Sequence, residues 1–149
     1  FILIIVGLVM ALNSFREAGL ILSVAFLSIG LSFLGLFIGQ QNYGFIGTIS
    51  AIGLIGLSIN DSIIVLSHIK EEAEKKSLTK AELVEVVIRS TRHIITTSLT
   101  TLGGFLPLIF ASVFFKPLAW AMSIGVLGAT ITALLYIPAM FMIMRKVKY

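Results

Sequence analysis

The sequence predicts an all-α fold, a polytopic bundle of membrane-spanning helices. Three observations carry that expectation. Of the 149 residues, 58% are hydrophobic, and mean hydropathy is +1.08; a soluble domain is about 45–50% apolar. The apolar residues fall in runs long enough to cross a bilayer, parted by short polar turns. The basic residues flank those runs instead of forming a patch, the pattern of membrane orientation and not of nucleic-acid binding.

Residues 1–13 would rise about 20 Å as a helix at about 1.5 Å per residue, short of a hydrocarbon core of about 30 Å. They read as the truncated end of a first span, in a chain cut from a longer protein within a membrane helix. No signal peptide is read. Residues 14–17 make a polar connection. A second span covers 18–39, its Ser23, Ser28, Gly30, Ser32 and Gly35 suited to close helix packing in lipid. Residues 40–44 form a turn, with Tyr43 placed for the interface.

The third span is 45–69. The charged run 70–76 has no apolar face. Thr79 is an N-cap candidate with Glu82 as its capping-box partner. Leu83, Val86 and Val87 then form a stripe opposite Glu82, Glu85 and Arg89, which predicts a short amphipathic helix on the membrane surface within a connection spanning 70–92. Packing of that helix on a separate soluble domain fits as well. The fourth span is 93–113, with Thr97, Thr101 and Gly104 on one polar seam and an interruption expected at Pro107. The fifth is 118–144, where Ala121, Gly125, Gly128 and Thr132 repeat a small-residue face and Trp120 sits near an interface. Alternating turns put Arg16, the 70–92 connection and the C-terminus on one side, with all but Lys116 of the 11 Lys and Arg residues. The positive-inside rule makes that side cytoplasmic.

One stretch, residues 53–68, carries the chemistry. Asp61 is the one carboxylate inside an apolar run, and Asn60 precedes it. A mid-span carboxylate costs about 2.5–3.5 kcal/mol on insertion scales, so it faces protein or water. Gly53, Gly56 and Asn60 share a helical face that would admit a neighbouring helix. Asn60, Asp61 and Thr97 are therefore the candidates for an ion-coupling seam. A structural Asp61, bonded to a neighbouring helix, is the competing reading. Cysteine is absent. The two histidines, His68 and His93, read as interfacial, so no metal site is expected. With no phosphate loop and no nucleophile beside a base, neither catalysis nor a cofactor is expected.

The blocks NSFREAGLILS, GFIGTISAIGLIGLSINDSIIVLSHI, RSTRHIITTSLTTLGGFLPLIF and KPLAWAMSIGVLGATITALLYIPAMFMI together resemble the membrane half of a resistance–nodulation–division (RND) efflux transporter. The resemblance is to the C-terminal half, helices eight to twelve. It implies proton-driven export of drugs or other small molecules, and a homotrimer in the bacterial inner membrane with its C-terminus cytoplasmic. Its implied partners are the other transmembrane half, large periplasmic domains, a periplasmic adaptor and an outer-membrane channel. It also implies that Asn60 stands where many multidrug members carry Lys, that Asp61 stands where they carry Asn, and that Thr97 matches a coupling threonine. A Lys-dependent relay is thus not expected. The SINDS and ITTSLTT stretches also resemble accessory membrane subunits of bacterial protein export. Assignment to the N-terminal half, and a purely structural helix-packing segment, are further alternatives.

Overall fold

The computed structural model describes residues 2–75 and 80–145. Five helices follow in order: α1 (Ile2–Leu12), α2 (Phe15–Ile38), α3 (Phe45–Lys75), α4 (Lys80–Ala111) and α5 (Lys116–Arg145). There is no strand among the described residues. Four of the helices, α2 to α5, are long and apolar enough to cross a membrane, and α1 is shorter. Large apolar side chains such as Phe26, Phe37 and Phe110 lie exposed on the outer faces, a surface that suits lipid or further protein and not water.

Local signals start α2. Asn13 turns the chain at φ 49°, and Ser14 caps the helix by accepting from the Glu17 N–H. Gln40, at φ 50°, makes the corresponding left-handed turn after α2. Gly39 is right-handed, so conformation is not what requires it. A Cβ there would run into the Trp120 ring. Trp120, expected near an interface, covers the C-terminal end of α2.

The hub is α5, which packs on α2, α3 and α4, while α1 packs chiefly on α2. The closest approach is at Gly35, where a Cβ would lie 2.8 Å from both Ala121 Cα and Trp120 O. Small residues let the two backbones meet there. A large core at one end joins Leu12, Ile21, Leu66, Ile69, Ile94 and Ile137. A smaller one packs Leu54 on Met122, Val126 and Ala129.

The same end carries a partly buried ion pair. Lys70 Nζ lies 3.1 Å from Glu17 Oε2 and also donates to the Leu12 carbonyl. The α1–α2 turn and the C-terminal part of α3 therefore share an end, as the alternation of basic connections requires. Arg16 and Glu17 border a cavity with Phe141 and Met144, which brings the C-terminal end of α5 there too.

Two features differ from the sequence reading. The expected surface helix is not separate: α4 runs unbroken from Lys80 through residue 92 into the span. Its stripe packs on the bundle. Leu83 is buried in one cluster with Ile69 and Ile94, with Val86 and Val87 packed against it. A hydrogen bond of 2.8 Å between His68 Nδ1 and Ser90 Oγ ties the two helices. Pro107 does not interrupt α4, which continues to Ala111; a proline one turn from the end removes one hydrogen bond where few remain. The N-cap expected at Thr79 lies outside the described residues.

Candidate functional site

Asn60 and Asp61 sit in the middle of α3, and neighbouring positions on a helix point about 100° apart. Asp61 is buried and Asn60 exposed. Across from them α4 presents Thr97, Ser98 and Thr101, and Val126 of α5 closes the inner wall. These side chains line a half-open cavity of about 30 Å³, room for a single water. The structure thus brings together all three residues the spacing selected.

Hydrogen-bond partners divide the cavity's polar groups. Thr97 Oγ1 donates to Ile94 O at 2.8 Å, and Thr101 Oγ1 to Thr97 O at 2.8 Å. Ser98 bonds across the bundle, its Oγ 2.5 Å from Thr130 Oγ1 of α5. Among the described residues, the Asp61 carboxylate accepts no hydrogen bond. A structural aspartate would satisfy its oxygens on a neighbouring helix, because unpaired burial is costly. Asp61 makes no such bond here.

Ser98 and Thr130 were not singled out from the sequence. A signal existed for Ser98, which is three residues before Thr101 and shares its face. Nothing local pointed to Thr130. Its partner is 32 residues away.

The small residues proposed for packing separate into two groups. A Cβ on Gly125 would run into Leu54, one on Gly128 would lie 2.6 Å from Leu31 Cδ2, and Gly53 has room beside Met122. Gly56 and Gly104 meet nothing within 4 Å. The face expected to join Gly53, Gly56 and Asn60 to a neighbour is covered by this chain only at Gly53. Among the described residues no cluster of metal-ligating side chains occurs.

Residues 1–145 match the AcrB/AcrD/AcrF family. The chain belongs to that family. These are the RND transporters that the sequence blocks resemble. Over 98 residues, 62% of the chain, it is 34% identical to the multidrug export protein AcrF of Escherichia coli (strain K12), covering 9% of that protein. Over 153 aligned residues, 99% of the chain, it is 24% identical to the nickel-cobalt-cadmium resistance protein NccA of Alcaligenes xylosoxydans xylosoxydans, covering 14% of it. The chain therefore spans about a tenth of the length of these curated relatives. It is a multi-pass membrane part of an RND transporter.

Proposed function

We propose that these helices belong to the membrane domain of a proton-driven exporter of small molecules, and that Asp61, with Asn60 and Thr97, lies on its proton path. The observation that carries the reading is the buried Asp61, which makes no hydrogen bond, on a water-sized cavity where three helices meet. A carboxyl in that setting can bind and release a proton as the cavity opens to one side and then the other. Asn60 and the threonines supply polar neighbours, and His93 of α4 is the titratable group whose field reaches Asp61.

The relatives' names support export, not catalysis, and they differ in cargo. One is named for multidrug export and the other for resistance to nickel, cobalt and cadmium. Helices shared by both suit energy supply better than cargo choice, which is assigned to the parts outside this chain. Those parts, by the same reading, are the second transmembrane half and the periplasmic domains. The reading extends to a homotrimer in the bacterial inner membrane, a cytoplasmic C-terminus, and an adaptor and outer-membrane channel. The chain corresponds to helices eight to twelve.

Asp61→Asn in the full-length transporter tests the reading. The change nearly keeps shape and hydrogen bonding but removes titration. The expected result is normal abundance with proton-linked transport lost. Full transport with unchanged pH dependence would remove Asp61 from the path. Thr97→Val, which deletes one hydroxyl at nearly constant volume, then decides whether the path runs through Thr97 instead.

A further inference from the structure

We infer that Ser98 is the hydroxyl that donates into the Asp61 cavity, and that Thr130 of α5 is the positioning residue that aims it. The inference deepens the proton-path reading and rests on Asp61 as the ionisable group of that cavity.

A count of hydrogens leads there. A serine or threonine hydroxyl has one hydrogen to give and two lone pairs. Thr97 and Thr101 both line the cavity, but each gives its hydrogen to a backbone carbonyl of α4. They can only accept from the cavity. Asp61, when ionised, also only accepts. Asn60 carries amide donors but is exposed. Ser98 is buried at 6% exposure and lines the cavity.

Its bond to Thr130 uses one hydrogen of the two hydroxyls and leaves one over. Thr130 is buried and among the described residues makes no other side-chain bond, and α5 reaches the cavity through Val126 and Ala129 instead. If Ser98 were the donor, the Thr130 hydrogen would be left buried away from the cavity. With Thr130 donating to Ser98 Oγ, the spare hydrogen belongs to Ser98. It then faces the cavity, where a single water would bridge it to the Asp61 carboxylate.

The rest of α4 shows what Thr130 does. Ser90, Thr91, Thr96, Thr97, Thr100 and Thr101 all bond back to carbonyls of their own helix. That is the default for such residues in mid-helix. Ser98 departs from it, and Thr130 is the group that engages it. Without the Thr130 hydroxyl, Ser98 is expected to fall back on the carbonyl of Ile94, withdrawing its hydrogen from the cavity.

Carbodiimide labelling of Asp61 in the full-length transporter, read at the peptide by mass spectrometry at neutral pH, tests this without transport. The carboxyl oxygen adds to the carbodiimide carbon as the carboxyl proton passes to its nitrogen, so the protonated form reacts and labelling rises when the ionised form loses a donor. Ser98→Ala is expected to speed labelling about tenfold, the ratio that one hydrogen bond to a charged group is worth. Thr130→Val should act in the same direction, and Thr130→Ser, which keeps the hydroxyl, should label as the parent does. Parental labelling in both Ser98→Ala and Thr130→Val would overturn the inference. So would Thr130→Ser behaving like Thr130→Val, since packing and not the hydroxyl would then be responsible. Asp61→Asn is the labelling blank. If its transport is normal while Ser98→Ala still speeds labelling, the proton-path reading falls and the donor assignment stands.

Discussion

Gly35→Ala should loosen the contact between α2 and α5 more than any other glycine-to-alanine change in the bundle. The new Cβ would lie 2.8 Å from Ala121 Cα and Trp120 O and 3.1 Å from Ala121 O. All three are backbone atoms, so no rotamer change relieves them. Ordinary contact needs about 0.6–1 Å more, and a gap of that size forfeits a quarter to a half of the dispersion well along the seam. Overpacking of this kind costs about 1–3 kcal/mol, against a gain of about 0.5–1 kcal/mol from replacing glycine in a helix. A net loss of about 1–2 kcal/mol follows. Gly128→Ala provides the comparison. Its Cβ would meet the tip of Leu31, which is half-buried and can turn, at about 0.5–1.5 kcal/mol for an off-rotamer side chain. The helix gain roughly offsets that. Gly125→Ala should fall between, because its obstacle is the fully buried Leu54. The assay is the temperature at which the full-length protein in detergent loses monodispersity. Expected is a clear drop for Gly35→Ala, a smaller one for Gly125→Ala and little change for Gly128→Ala. A drop for Gly128→Ala as large as that for Gly35→Ala would refute the argument from backbone contact.

Two other outcomes are expected. Single cysteines at Asn42 and Ser112 should react with an impermeant thiol reagent from the periplasmic side, and cysteines at Ser14 and Ser77 should not; labelling of Ser77 from outside would reverse the orientation. Residues 1–149 expressed alone should insert in membranes but export nothing, and proton-dependent efflux from vesicles holding only this chain would show that it suffices without the rest.

Hydropathy located the spans because it reports where lipid can be met. It did not locate the helix ends of α3 and α4. No glycine or proline occurs between residues 57 and 102, so nothing in the backbone stops a helix where the apolar run stops. Residues 70–75 continue α3, and residues 80–92 open α4. The amphipathic stripe of Leu83, Val86 and Val87 was visible, but a stripe does not name its cover. Here the core at that end covers it, with Ile69 of α3 and Phe141 of α5 in the same cluster and His68 bonded to Ser90. The polar seam was legible for the same reason as the spans: an aspartate in an apolar run stands out. Its hydrogen-bond order was not. Whether a threonine gives its hydrogen to its own helix or across the bundle depends on which helix lies opposite, and only the fold supplies α5.

The exposure of α4 and of the outer part of α3 bears on what lies beyond this chain. In its most apolar window α4 is 11% buried, against 39–50% for the other three long helices. The threonines it exposes do not by themselves demand a cover. Thr96 and Thr100 give their hydrogens to Arg92 O and Thr96 O at 2.8 Å, so lipid could face them at small cost. Asn60 is different. Its amide has two donors and an acceptor, it is exposed in mid-span, and among the described residues it has no hydrogen-bond partner. Hydrocarbon against that amide would cost several kcal/mol. Two exposed small positions, Gly56 on its own helix and Gly104 on α4, would let a backbone approach the same side. Asn60 therefore argues for protein or water against this face, and the relatives' length leaves room for a second helical half to provide it. On that view the cavity is a half-site. Asp61, Ser98 and Thr97 contribute its inner wall, and Asn60 is the residue that reaches toward the part still to be added.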